Sequence, residues 1–308
     1  MRVVVTGADG YIGAMLVPHL LADGYEVTAC DPKWFGSGHL PDNPNLKKVR
    51  ADIRDNDLSW LDGEVLIHLA GIPRNGMCET KPRFTKSVNV LGTIRVLEAA
   101  ANLGMRVIYP SSVAVYGNTE EPAKEDHPLN PLTAYGEQKL VVEEFVRTLP
   151  AYVITRAATV SGYSLNMLFH TTVHAMVRDA YKKGVIRVNG GQQKRCHVNL
   201  YDVCKAYLAI LKHLTVKGAF NIVQANESVL DTANSVQAVM EEGVKLEVGE
   251  ATDNRSYMAD GSLLEYVFGC RMERTTLQSA GEVYSRFKAG YWSDPYTDKY
   301  ERTSERRI

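Results

Sequence analysis

The sequence predicts an α/β protein with a doubly wound parallel sheet and a smaller mixed α/β lobe. Three observations predict it. Short apolar runs alternate with helical patterns through the first half of the chain. The runs are nearly continuous in Val, Ile and Leu, as strands covered on both faces require. A glycine-punctuated turn, "TGADGYIG", joins the first run to the first helical pattern, where such sheets hold an anion.

The elements follow in chain order. "RVVVT", residues 2–6, is β-branched and stops at Gly7. "YIGAMLVPHLLADG" reads as a helix with Ile12, Leu16, Leu20 and Leu21 on its apolar side, ended by Gly24. "YEVTACD", "KKVRAD", "VLIHLAG" and "MRVIYPSS" are the second to fifth strands. A long helix over about 84–102 separates the fourth from the fifth, and another spans about 133–147. "AYVITR" is the sixth strand. Beyond Arg156 the pattern loosens into short helices, strands and polar loops. We expect a cofactor-binding domain over 1–160 and a mainly substrate-binding lobe over 161–308, partly interleaved with it. The ending "YWSDPYTDKYERTSERRI" is charged and weakly periodic, and reads as a frayed tail or an arm on a neighbouring subunit.

Composition narrows the function. The 308 residues are 45% hydrophobic and 23% charged, with formal net charge −1, so no basic excess points to nucleic acid. No apolar run approaches the ~20 residues of a membrane helix, and the N-terminus does not read as a signal peptide. Five scattered cysteines without a CxxC pair fit reduced thiols, a cytoplasmic location and no metal site.

The chemistry concentrates at strand ends. Gly7 permits the tight turn. Gly10 lets the backbone at Tyr11 and Ile12 approach a pyrophosphate at the helix N-terminus, and Gly13 allows close helix–strand packing. Asp31 ends the second strand eighteen residues past Gly13. Its carboxylate suits both ribose hydroxyls of adenosine and repels a 2′-phosphate, which points to NAD over NADP. Asp52 and Ile53 follow the third strand and either flank the adenine or, for Asp52, cap a helix. Leu69, Ala70 and Gly71 close "HLAG", where backbone passes close to the cofactor, while His68 packs internally. Tyr135 and Lys139 lie one helical turn apart and share a face. The ammonium is expected to favour phenolate and lower the tyrosine pKa. Ser112, at the end of the fifth strand, is placed to position a hydroxyl whose proton Tyr135 accepts.

"TGADGYIG", Asp31, "HLAG", "NVLGT", "SSVAVYG" and "YGEQK" together resemble the extended short-chain dehydrogenase/reductase family, in its nucleotide-sugar epimerase and dehydratase branch. The resemblance is strong over about the first 160 residues and weaker beyond. It implies a Rossmann-type sheet, NAD, a nucleotide-diphosphate sugar substrate, a homodimer, and Ser112, Tyr135 and Lys139 as the catalytic set. Asn89 would support the lysine. "RCHVNLYDV" resembles the segment whose arginine binds the substrate diphosphate, here Arg195, and "DNRSYMAD" adds Arg255 with Tyr257 beside it. Where the family often reads Arg-Tyr-Phe-Asn, this chain has Arg156-Ala157-Ala158-Thr159. Thr159 then takes the substrate-contacting place, and His174 replaces an asparagine expected in the next helix. Dehydratases of the branch carry an acidic pair where Val113 and Ala114 stand, so a C4 epimerase is expected ahead of a 4,6-dehydratase. A C4 dehydrogenase uses the same three residues. A non-catalytic NAD-binding sensor would have little use for them.

Overall fold

The computed structural model describes residues 1–251 and 253–302. Its strands in chain order are β1 (Arg2–Thr6), β2 (Glu26–Cys30), β3 (Leu46–Val49), β4 (Val65–His68), β5 (Arg106–Ser112), β6 (Tyr152–Ala157), β7 (Thr159–Ser161), β8 (Val185–Asn189), β9 (Lys194–Asn199), β10 (Gly218–Ile222), β11 (Ala225–Ser228) and β12 (Lys245–Gly249). Seven of them form a parallel sheet in the order β10-β6-β5-β4-β1-β2-β3. The others form a three-stranded sheet, β11-β9-β7, and a parallel pair, β12-β8. The doubly wound sheet is therefore present, and its edge strand β10 comes from the second half of the chain.

The unbroken apolar strands have the expected cause. Val3 and Val5 join one core layer with Leu16 and Leu20 of the helix Gly13–Ala22 and Tyr207 and Ile210 of Leu200–Leu211. Val4 joins the opposite layer with Val96 and Leu97 of Thr93–Asn102 and Val142 and Val146 of Ala134–Val146. Burying both faces of each strand removes the alternation that a half-exposed sheet would show. The carboxyl ends of β1, β2, β4, β5 and β6 then share one edge of the sheet.

Two expectations are corrected. The helix expected over 84–102 is built from Pro82–Lys86, a π-helical turn Ser87–Gly92, and Thr93–Asn102. The wider turn carries Asn89, whose buried side chain hydrogen-bonds both the N–H and the C=O of Ile72. Such insertions recur at functional sites. The final segment, as far as Arg302, is not frayed and packs on its own chain. Trp292 packs against Phe169 and Phe287, with ring centroids 5.0 and 4.7 Å away, and the Phe169 N–H donates to the Tyr300 carbonyl. Its aromatic residues, interspersed among charges, gave no helical or strand period to read. The remainder of that expectation, residues 303–308, lies outside the described residues.

One buried ion pair ties the sheet to the helix Ala134–Val146. Arg156 of β6 and Glu143 of that helix are both wholly buried, 2.8 Å apart. Arg156 also donates to the Tyr116 hydroxyl and the Glu125 carbonyl. The Tyr116 hydroxyl in turn donates to Asn221 of β10. Removing one partner of such a pair strands a charge in low dielectric. We predict that Glu143→Ala lowers the unfolding free energy by about 3–5 kcal/mol, read from urea denaturation.

Candidate active site

The glycine turn is shaped by close backbone contact. Gly7 has φ +63°, and a Cβ there would come within 2.7 Å of the Ala70 amide nitrogen. A Cβ on Gly13 would lie 2.4 Å from the Gly7 carbonyl oxygen. The turn thus seats the helix Gly13–Ala22 directly over the end of β1 and against Leu69–Ala70. No side chain caps that helix, whose N-cap is Ile12. The amides of Ala14, Met15 and Leu16 already donate to the Gly10 and Ile12 carbonyls, so the backbone an anion would meet is that of the turn itself, Tyr11–Gly13, at the positive end of the helix. Gly71 continues past Ala70 beside the Asn89 amide.

Asp31, after β2, turns its carboxylate toward this turn. It accepts from the Asp9 amide at 3.1 Å and from the Lys33 amide at 2.6 Å. Burial raises it to about 6 against these hydrogen bonds. An uncapped helix start with a carboxylate beside it fits the phosphates and ribose of a dinucleotide. Asp52 is buried and grips Arg54, which lies 5.2 Å from the Trp34 ring. Ile53 is buried next to it.

Sequence reasoning missed how the second half of the chain braces the turn. Ser164 donates to the Tyr11 carbonyl at 2.6 Å, and Tyr11 donates to the Gly162 carbonyl at 2.8 Å. Asn166 donates to the Asp9 carbonyl, and the Asp9 carboxylate meets His39 at 2.8 Å. The only sequence signal was the place of Asp9 inside the glycine motif.

Ser112 ends β5, and its Oγ accepts from the Ala114 amide at 3.2 Å, starting a short 3-10 turn. Thr133 caps the helix Ala134–Val146 through the Gly136 amide. The start of that helix packs on the same turn: a Cβ on Gly136 would lie 2.8 Å from the Ala114 carbonyl oxygen. Ser112 and Tyr135 therefore occupy adjoining elements at the carboxyl edge. The Lys139 ammonium donates to the Pro110 carbonyl at 2.6 Å and sits 5.8 Å from the Tyr135 ring centroid. Burial lowers Lys139 to about 8. The expected lowering of Tyr135 is not what this structure gives. Burial, then the Cys78 thiol and Tyr207, holds its hydroxyl well above 10. Desolvation of the phenolate outweighs the ammonium here.

Asn89 reaches Gln138, the residue before Lys139, at 2.8 Å. It thus positions the helix through Gln138, with no direct bond to the ammonium. His68 is neutral, lowered to about 3 by burial and then by Lys139, and bridges Thr6 and Thr93. His174 departs from its expected place on substrate. It is fully buried, and its ring nitrogens are engaged by the Gly162 amide and the Thr171 hydroxyl. A helix position alone could not show which way that ring turns. Among the described residues no His, Cys, Asp and Glu cluster could hold a metal ion, and no helix is long and apolar enough to cross a membrane.

Arg195 of β9 and Arg255 converge on one carboxylate, Asp253, at 3.0 and 2.6 Å. The Arg255 hydrogen bond is the main force holding Asp253 down at about 2. Arg195 also lies 5.1 Å from the Tyr257 ring. The field of Glu79 reaches Arg255, and Glu79 accepts from the Ala134 amide at 3.1 Å. Arg255 therefore lies within electrostatic reach of Glu79, which holds the start of the helix that carries Tyr135. Thr159, at the start of β7, is partly exposed.

Residues 3–223 match the NAD dependent epimerase/dehydratase family. A Methanocaldococcus jannaschii protein provisionally named a UDP-glucose 4-epimerase is 34% identical over 223 residues, 68% of this chain and 73% of the relative. The UDP-glucose 4-epimerase of Mycolicibacterium smegmatis is 40% identical over 157 residues, 47% of this chain and 50% of that protein. A crystal structure of UDP-galactose 4-epimerase is 28% identical with a TM-score of 0.79, over 95% of this chain and all of that one (100%).

The Asp31 environment sets a pH dependence. Its folded pKa, about 6, lies above the ordinary carboxyl value of about 4. The protein without NAD should therefore lose stability from this group as pH rises from about 4 through 6. Ribose hydroxyls need the ionised form as acceptor. NAD affinity should fall as pH drops below about 6, and Asp31→Asn should flatten that dependence, both measured by isothermal titration.

Proposed function

The chain belongs to the NAD dependent epimerase/dehydratase family, and we propose that it is a nucleotide-sugar C4 epimerase that works through a transient 4-keto sugar. The observation that carries the reading is the meeting of Ser112, Tyr135 and Lys139 at the sheet edge that also holds the glycine turn and Asp31. NAD, when bound, would supply reversible hydride transfer at C4, with the 4-keto sugar turning over in between so that the hydride returns to its opposite face.

Ser112 hydrogen-bonds the C4 hydroxyl and holds it toward Tyr135. Tyr135 accepts the hydroxyl proton and later returns it to the reduced oxygen. Burial keeps Tyr135 protonated in the free protein even with Lys139 beside it, so the positive nicotinamide of bound NAD would have to act together with Lys139 for the phenol to serve as a base. Lys139 supports the phenolate electrostatically, and the Pro110 carbonyl fixes its ammonium in reach. A Lys139 pKa near 8 leaves it charged at neutral pH. Arg195 and Arg255 bind the diphosphate, which competes with Asp253 for their guanidinium groups. Thr159 contacts the sugar. Asp52, Ile53, Leu69, Ala70, Gly71 and Asn89 line or support the cofactor site. The names of the relatives support a UDP-linked hexose.

Val113 and Ala114 follow Ser112 and offer no acid to expel a C6 hydroxyl. A cytoplasmic homodimer fits five unpaired buried cysteines and the apolar surface of Leu91, Leu103 and Val141 around the helices Thr93–Asn102 and Ala134–Val146.

The test uses UDP-glucose and UDP-galactose carrying deuterium at C4. We expect the C4 epimer with label retained at C4. Label at C6 would indicate a dehydratase, and release of keto sugar with reduced cofactor a dehydrogenase. Tyr135→Phe removes one hydroxyl and should lower kcat by about 10²–10⁴-fold while NAD binding persists. Arg195→Ala should raise KM by about 10- to 100-fold, the loss of a charge-assisted phosphate contact, measured by steady-state kinetics.

A further inference from the structure

The C-terminal segment 292–302 leaves the second lobe and crosses to the loops after β2 and β4. Trp292 and Tyr300 anchor it on Phe169. Glu301 pairs with Arg74, in the loop after β4, at 3.1 Å and with Arg178 of the helix Thr172–Lys183. Lys299 lies against Gly36, in the loop after Asp31. The Arg302 guanidinium lies 5.1 Å from the Phe35 ring.

Arg302 ends this crossing in an unusual setting. The residue is only 9% exposed, and among the described residues no carboxylate lies within ion-pair reach of it. Its Nη2 donates to the main-chain and side-chain oxygens of Asn166 at 3.2 and 3.3 Å. Asn166 itself holds the Asp9 carbonyl of the glycine turn. The Arg302 Nε is buried with no acceptor. A guanidinium carries five N–H donors, so most of this one's capacity is unspent. Burial lowers Arg302 to about 10, and the fields of Asp31 and Tyr11 oppose that shift. The cation thus feels the Asp31 carboxylate and is joined, through Asn166, to the Asp9 carbonyl of the glycine turn.

We propose that Arg302 is a phosphate-binding residue of the dinucleotide site, delivered across the cleft by the C-terminal segment. This rests on reading the glycine turn as the NAD cradle. A planar, charged fork matches phosphate oxygens, and one buried without a carboxylate partner beside the glycine turn is the chemistry a diphosphate satisfies. Glu301 pairs with Arg74 and Arg178, whereas Arg302 has no such carboxylate partner among the described residues. The segment 292–302, by this inference, is part of the cofactor site and sets how tightly NAD is held.

The experiment compares Arg302→Met and Arg302→Lys with the parent in the full chain. The protein is stripped of bound dinucleotide, NAD is titrated calorimetrically, and Tm is recorded for each. Met keeps the aliphatic packing against Phe35 and Lys keeps the charge. We expect Met to raise the NAD Kd about 10- to 100-fold, Lys to raise it by less, and Tm to stay near the parent value. A Kd for Met within twofold of the parent would overturn the proposal, as would a loss in Lys equal to that in Met. Tighter binding by Met would also overturn it, making Arg302 an obstruction. If the parent itself fails to bind NAD, the reading of the cradle falls instead.

Discussion

The wholly buried guanidinium of Arg156 holds the working edge of the molecule together. It reaches Glu143 in the helix that carries Tyr135 and Lys139, Tyr116 after the Ser112 turn, and the carbonyl of Glu125. Through Tyr116 it is linked to Asn221 of β10, which in turn bonds the carbonyls of Ala123 and Asp260. One charge therefore joins the sheet, the catalytic helix and the returning second half of the chain. A buried ion pair is a weak source of net stability. Its value here is orientation, because Arg156 is satisfied only where this helix brings Glu143 against β6.

A second set of hydrogen bonds joins the halves at the glycine turn. Gly162, Ser164 and Asn166 each bond to the turn, and His174 accepts from the Gly162 amide. The phosphate cradle is thus made by one half of the chain and held in shape by the other. A mobile turn would have to be ordered when the ligand bound; a braced one presents its amides already aligned. The C-terminal segment extends this arrangement, since it is pinned to Phe169 just beyond the bracing loop.

The electrostatics of the site follow from burial. Tyr135 is pushed up, Lys139 down, and His68, His170 and His174 are held neutral. Burial disfavours charge on each of these groups, so it moves the phenol and the amine apart, the phenol toward staying protonated and the amine toward losing its proton. A base role for Tyr135 would therefore depend on positive charge held beside its oxygen.

Local pattern was enough to read the alternation of six strands with helices (the seventh strand, β10, was not read), the glycine turn, Asp31 and the Tyr135–Lys139 spacing. These depend on residues close in sequence and on periodicities that burial on two faces imposes. The helix around Asn89 was legible, but its π-turn was not, because that depends on a side chain bonding Ile72 seventeen positions earlier. Likewise, His174 lies on the expected helix, yet only packing against Tyr11 and Gly162 turns its ring inward. The Tyr135 pKa was misjudged because spacing shows a neighbouring charge but not the depth of burial. The Arg195–Asp253–Arg255 convergence, the bracing of the turn and the fate of Arg302 all join residues far apart in the chain. Such contacts have no local signature; the side chains that meet are chosen by which surfaces of the sheet and lobe come together, and that is settled only when the whole chain is packed.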